Sequence, residues 1–241
     1  MITLQQAMKV PEGAGVTVQR LMPVDGLLNL DPFVLWDHFS IDNGAGFPDH
    51  PHRGFEAITY IFSGGMHHAD NLGNASTVTS GGAQRFTAGR GLVHSEKPVP
   101  GEITAGIQLW INLPRRLKSI APDYQQVNAD QFPEKIIPGG TLRTIVGRGS
   151  PLKLHTDVLY LELELGEGSE WKQAIPDGMR GLAYAVEGNL DINGHTIRQG
   201  DACLIDKQDK LTASALETSR AMLCFGRPHH EPIRQYGPFV D

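Results

Sequence analysis

The sequence has little cysteine, no long apolar run and no concentration of positive charge. Its two cysteines, Cys203 and Cys224, each lie inside a short apolar stretch. They are expected to be buried small hydrophobes, not a disulfide or a redox pair. A structural zinc site, which usually takes cysteines, is disfavoured on the same ground. No apolar stretch approaches transmembrane length, so no membrane association is expected. Met1–Gln6 has neither the basic nor the apolar part of a secretory signal, and a cytoplasmic location follows as the expectation. Lys and Arg number 21 against 27 Asp and Glu, a formal net charge of −6. The densest basic spot, Arg115-Arg116-Leu117-Lys118, is short. Direct nucleic-acid binding through a phosphate-neutralising surface is therefore not expected. A protein partner stays open.

What the chain does have is turns and short strands. There are 28 glycines and 16 prolines. Between them run β-forming segments such as Ala57–Phe62, Ile107–Leu113, Val158–Leu165 and Leu182–Val186. Leu159–Leu165 alternates apolar and polar near its end, as a strand with one wet face does. Asn193-Gly194 between β-formers predicts a two-residue hairpin turn. The chain also repeats itself weakly. Tyr60–Gly64, Gly81-Gly82 and a following apolar strand are echoed by Tyr184–Gly188, Gly200 and Ala202–Ile205. The expectation is an all-β protein made of a duplicated barrel, with few helices. The boundary falls between Pro114 and Pro138, a stretch with room for a short helix near Asp130. The domains are taken as residues 1–130 and 131–241.

The chemistry concentrates in the first half. His50 and His52 are two apart, so on a strand they share a face. Directed into a barrel, both imidazoles can reach one ion at roughly 2.0–2.2 Å. His94 and Glu96 repeat that spacing later in the same barrel. Imidazole and carboxylate together suit iron, manganese, cobalt, nickel, copper or zinc. With four protein ligands, a six-coordinate ion keeps two positions open. Glu56, four residues after His52, has the parity to be a ligand as well. Its competing role is a structural carboxylate paired with Arg53 or Arg90. His67-His68 and His229-His230 read as solvent-facing or structural, and His38 as structural or at a pocket rim. Gly46, His50, His52, Glu56 and Gly64 closely follow the first cupin motif, with one extra residue before the last glycine. Gly91 and His94 follow the second, with Gly89 in place of its proline. Pro98 stands where that motif has asparagine, and Glu96 offers a carboxylate instead.

Longer segments carry a more specific likeness. Asp31–Phe33, Pro48–Glu56, Thr87–Glu96, Gln108–Pro114 and Tyr236–Val240 resemble the pirin family, in the family's order and over nearly the whole chain. The resemblance implies two tandem cupin (jelly-roll) barrels. The N-terminal one is implied to hold one metal, Fe(II), through His50, His52, His94 and Glu96; the C-terminal one is implied to be degenerate and metal-free. The second repeat agrees, having Pro176–Arg180 but no pair of histidines two apart.

The resemblance also implies an activity of the quercetin 2,3-dioxygenase type: dioxygen opens a flavonol ring and carbon monoxide leaves. The substrate is then a small flat aromatic, and Glu96 is the candidate to take the flavonol hydroxyl proton. Phe47, Phe55, Ile107, Leu109 and Trp110 are candidates for an apolar pocket wall, with plain barrel core as their competing role. Gln108 is a candidate to hydrogen-bond substrate or water, with satisfying the backbone as its competing role. A second implied role is an iron-dependent regulator that binds a transcription factor or a metabolic enzyme, with no turnover. A monomer is the expected state.

Overall fold

Frequent turns cut the chain into short antiparallel strands in the computed structural model, which describes residues 1–42 and 44–241. The described chain is 61% strand and 2% helical. The fold is all-β, with two cupin barrels, as expected. The short helices are the 3-10 turns Arg115–Leu117 and Ala129–Gln131, the second where a helix near Asp130 was expected.

Two compact units form. The first holds residues 8–131 and 229–241, the second residues 1–7 and 132–228. These units differ at both termini from a division into 1–130 and 131–241. Ile2–Gln6 pairs antiparallel with Asp201–Ile205 and supplies the edge strand of the second unit's large sheet. At the other end, Val240 is fully buried in the first unit, against a cluster that includes Phe55, Phe86 and Trp110. Such pairings depend on contacts some two hundred residues apart, which local patterning does not encode.

Each unit contains a seven-stranded and a four-stranded sheet. In the first unit the large sheet runs, edge to edge, Asp123–Val127, Ala83–Thr87, Phe55–Ser63, Thr104–Asn112, Phe33–Ile41, Val16–Met22 and Met8–Glu12. Its small sheet runs Phe47–His52, Leu92–Pro98, Gly65–Asp70 and Ala75–Thr79. The second unit repeats the plan, with Glu170–Ala174, Lys210–Ala215, Asn189–Ile192 and His195–Arg198 as its small sheet. The last two of these strands are joined by Asn193 and Gly194, whose φ values of 51° and 83° make the expected hairpin turn.

The wet face expected near the end of Leu159–Leu165 is met at Glu164, whose side chain is 46% exposed, and is drier at Glu162. Glu162 is only 7% exposed, with Arg143 and Arg220 on either side at 3.7 and 3.8 Å. Cys203 and Cys224 are buried and unpaired, as expected.

Candidate metal centre

The small sheet of the first unit assembles the site. Phe47–His52 and Leu92–Pro98 pair antiparallel, with His94 opposite His50 and Leu92 opposite His52. The register shifts between His94 and Glu96, so Glu96 lies opposite Phe47. On its other side the same strand pairs with Gly65–Asp70, which sets His94 against Asp70 and Glu96 against His68. Alternation along Leu92–Pro98 buries Leu92, His94, Glu96 and Pro98 on one face.

The three histidines expected as ligands come together. One ring nitrogen from each of His50, His52 and His94 lies within 4.8 Å of the others. Their ring centroids are 4.5–5.0 Å apart. Each Nδ1 has a partner: Pro48 O at 2.7 Å for His50, Pro238 O at 3.2 Å for His52, and His68 Nδ1 at 3.4 Å for His94. At His50 and His52 the carbonyl can only accept, so Nδ1 carries the proton and Nε2 is left as the bare lone pair, the usual arrangement behind a metal-ligating imidazole. His94 Nε2 is buried and has no hydrogen-bond partner among the described residues. A buried polar atom without a partner is costly, roughly 1–3 kcal/mol. A divalent ion would satisfy it, and the donor set fits such an ion.

The electrostatics suit neutral ligands. Burial first, then the neighbouring His50, pushes the His52 imidazole down to about 3. Burial, with His52, His50 and His68 adding to it, pushes His94 lower still. At neutral pH both rings are uncharged and able to donate a lone pair.

Glu96 lies outside the triad that the nitrogens define, but lines the same cavity as His50 and His52. It is 1% exposed. Oε1 accepts hydrogen bonds from Thr59 Oγ1 at 3.1 Å and from Gln84 Nε2. Oε2 accepts one from Gln108 Nε2 at 2.8 Å. Oε2 is therefore the oxygen with a lone pair to spare. Gln108 is used differently from the sequence expectation. Trp110 Nε1 donates to its Oε1 at 3.0 Å, so both ends of the amide are taken and its task is to hold Glu96. Glu56 sits on the large sheet, fully buried, and accepts a hydrogen bond from Thr87 Oγ1 at 2.9 Å. Arg53, one partner considered for it, pairs instead with Asp241 at 3.1 Å.

A cavity of about 500 Å³ reaches His50, His52 and Glu96. Of the wall residues expected, Phe47 and Trp110 line it, together with Leu35 and Phe39. Phe55, Ile107 and Leu109 are fully buried, and Phe55 stacks on Trp110 with centroids 4.1 Å apart. A charged group also lines the cavity. Arg20 donates through Nε and Nη2 to Asp37 at 2.8 and 2.6 Å, and through Nη2 to Glu12 at 2.6 Å. His38 is half-buried, edge-on to Phe62.

Two features escaped the sequence reading. His68 is 2% exposed and stacks on Tyr124, with centroids 4.2 Å apart. Burial pushes the Tyr124 phenol up to about 12, so it stays protonated and donates to Gln84 Oε1 at 3.1 Å. The second feature is the C-terminal tail. Val240 N donates to Arg53 O at 3.0 Å, and Lys118 Nζ donates to Gly54 O and Val240 O at 3.0 and 2.9 Å. That docking delivers the Pro238 carbonyl to His52. Gly54 makes it possible: its φ is +86°, and a Cβ there would lie 1.8 Å from Val240 O. The clue in the sequence was the Tyr236–Val240 segment, which carried a family likeness without a role.

Two family models match the chain: Pirin over residues 15–111, and the Pirin C-terminal cupin domain over residues 160–241. The chain belongs to the pirin family. Pirin from Mus musculus is 37% identical over 95% of the chain and 83% of its own length. A crystal structure of quercetin 2,3-dioxygenase from Acinetobacter baumannii superimposes with a TM-score of 0.92 at 28% identity, covering 99% of this chain and 90% of that one. A bacterial pirin from Escherichia coli, solved in complex with nickel(II), gives a TM-score of 0.79 at 25% identity, covering 95% and 99%. The pirin fold and a histidine group able to hold a divalent metal thus occur together in this chain.

Proposed function

We propose that this pirin is a metal-dependent dioxygenase that opens a flavonol ring, with His50, His52, His94 and Glu96 as ligands of one divalent ion, Fe(II). The carrying observation is the cavity of about 500 Å³ that reaches the histidines and is walled by Phe47, Leu35, Phe39 and Trp110. Its volume is that of a small-molecule site. A regulator that never turns over substrate has no need of such a space beside its metal. The likeness to a quercetin 2,3-dioxygenase supports the choice of reaction.

A divalent ion at this place supplies Lewis acidity, which lowers the pKa of a coordinated hydroxyl. The protein does the rest. Phe47 and Trp110 offer aromatic faces that can orient a flat ring. Glu96, through Oε2, would take the proton that the flavonol hydroxyl gives up. Gln108, Gln84 and Thr59 fix that carboxylate, so its position does not have to be found anew in each turnover. Both oxygen atoms of dioxygen enter the products, a ring-opened ester and carbon monoxide.

The test is anaerobic loading with iron(II), then quercetin in air, following flavonol absorbance and carbon monoxide. Metal-dependent turnover that disappears in His52→Ala is the expected result. Glu96→Gln should keep part of the metal affinity and lose turnover by about 100-fold or more, the scale of a general-base contribution. Tight stoichiometric iron with no flavonol loss would overturn the dioxygenase reading and favour the regulator.

A further inference from the structure

Behind His94 stands a second histidine, and behind that a carboxylate. Asp70 Oδ2 lies 3.1 Å from His68 Nε2, and the two side chains are completely buried. His68 Nδ1 lies 3.4 Å from His94 Nδ1. Asp70 is itself held: Leu72 N and Asn74 N donate to Oδ1 at 2.9 and 3.0 Å, and Asn74 Nδ2 donates to Oδ2 at 2.8 Å. Burial would raise this carboxyl, but hydrogen bonds from the Asn74 and His68 side chains and from backbone amides outweigh it and hold it below its ordinary value.

The proton positions follow in sequence. An ionised carboxylate only accepts, so His68 carries its proton on Nε2 and gives that hydrogen bond to Asp70. His68 Nδ1 is then a bare acceptor. Among the described residues its hydrogen-bond partner is His94 Nδ1, which is the donor when His68 carries a single proton. His94 therefore has its proton on Nδ1 and its lone pair on Nε2, the atom left buried without a partner beside His50 and His52. The stack of His68 on Tyr124 keeps the imidazole in the plane this chain of bonds needs.

We propose that Asp70, acting through His68, is the positioning group that fixes the tautomer of His94 and so prepares its Nε2 for the metal. The proposal rests on His94 being a ligand, as the proposed function has it. Metal-binding imidazoles usually turn their second nitrogen to a carboxylate, carbonyl or water. Here an imidazole stands in that place and passes the preference of a carboxylate one residue further. His50 and His52 use backbone carbonyls, which cannot be altered by mutation, so His94 is the ligand whose orientation the side chains decide.

Asp70→Asn tests this with little change of shape. The amide oxygen can keep the bonds from Leu72 N and Asn74 N. The amide nitrogen then faces His68 Nε2, which must become an acceptor. His68 moves its proton to Nδ1, and His94 must accept there and carry its own proton on Nε2, where it blocks the metal. Two readouts are made on the full chain. Ring-nitrogen NMR of the metal-free protein reports the tautomer of each histidine, and titration with nickel(II) reports affinity. The expected result for Asp70→Asn is a switched His94 tautomer and a nickel affinity lower by about 10–100-fold. His68→Gln, whose carbonyl can still accept from His94, should stay within a few-fold of wild type. His68→Leu should lose as much affinity as Asp70→Asn, and His68→Gln added to Asp70→Asn should restore most of it. Unchanged tautomers in Asp70→Asn would overturn the proposal, whatever the affinity did. So would His68→Gln binding as weakly as His68→Leu. If wild type bound no nickel at all, the metal reading itself would fall, while the NMR would still decide whether Asp70 governs His94.

Discussion

The two units share one sheet plan and differ where the chemistry is. In the first, the strand Leu92–Pro98 turns Leu92, His94, Glu96 and Pro98 inward; its neighbour Gly65–Asp70 buries His68. In the second, the strand at the same place in the small sheet is Lys210–Ala215, which buries Leu211, Ala213 and Ala215. Its neighbour Asn189–Ile192 buries Leu190 and Ile192. These join Trp171, Ile175 and Met179 in one apolar cluster, while in the first unit the buried residues around Phe55 and those around Ile61 form separate clusters. The fold asks only that alternate residues be apolar and fill space. A buried histidine or carboxylate is an addition that the barrel does not need and that costs free energy unless each polar atom is partnered.

The sharpest way to break this comparison is to give the first unit the second unit's chemistry. His94→Leu should abolish metal binding, by more than the ~100-fold reached by changes behind a ligand. The metal-free variant should also be more stable, by roughly 1–3 kcal/mol, because the unpartnered Nε2 is gone. Metal titration and thermal melting check both, and a variant that still bound one metal per chain would end the assignment. Next in size is Gly54→Ala. A methyl group in the path of Val240 O, at a positive φ, should lift the tail off His52 and cost about 2 kcal/mol or more. Protection of the Val240 amide from hydrogen exchange should fall with it, and the second unit should not respond.

A third test uses pH. Burial holds the His38 imidazole down at about 4, against 6.5 for an exposed one. The unfolded chain takes up this proton first as pH falls. Stability present above 6.5 is therefore lost progressively towards pH 4, by up to about 3 kcal/mol at 1.36 kcal/mol per pKa unit. His38→Gln should flatten the fall in melting temperature over that window, leaving the part due to His52 and His94. An unchanged slope would mean that His38 is not neutral in the fold. The smallest effect expected is in the second unit. Gly194→Ala meets no atom within 4 Å but must adopt φ +83°, a cost of about 1 kcal/mol, read by denaturant unfolding with no change in metal affinity.

Much of this was legible in the sequence, and for a physical reason. Side chains two residues apart share a face on any strand, so spacing alone puts His50 with His52 and His94 with Glu96. The Asn193-Gly194 turn was legible because its backbone requires residues that tolerate positive φ. His68 was not. Two adjacent histidines point to opposite faces, and nothing local tells which one meets the core: His67 is exposed beside Thr77, while His68 is buried. Gln108 was seen as a cavity residue, but its occupation by Glu96 and Trp110 is a fact of three strands meeting. The reach of the termini was invisible too, since a two-residue strand such as Phe239–Val240 carries no periodicity to read.

By itself, then, the sequence determined the all-β class, the duplication, the pirin family and three histidines that meet at one point. Each follows from local periodicity, turn chemistry or motif spacing, which a strand expresses wherever it lies. Tertiary structure alone decided which partner the Nδ1 of each histidine meets, which donors hold Glu96, and that Asp70 and His68 stand behind His94. Those depend on hydrogen-bond partners brought from distant parts of the chain, within tenths of an ångström, and no spacing along the sequence records them.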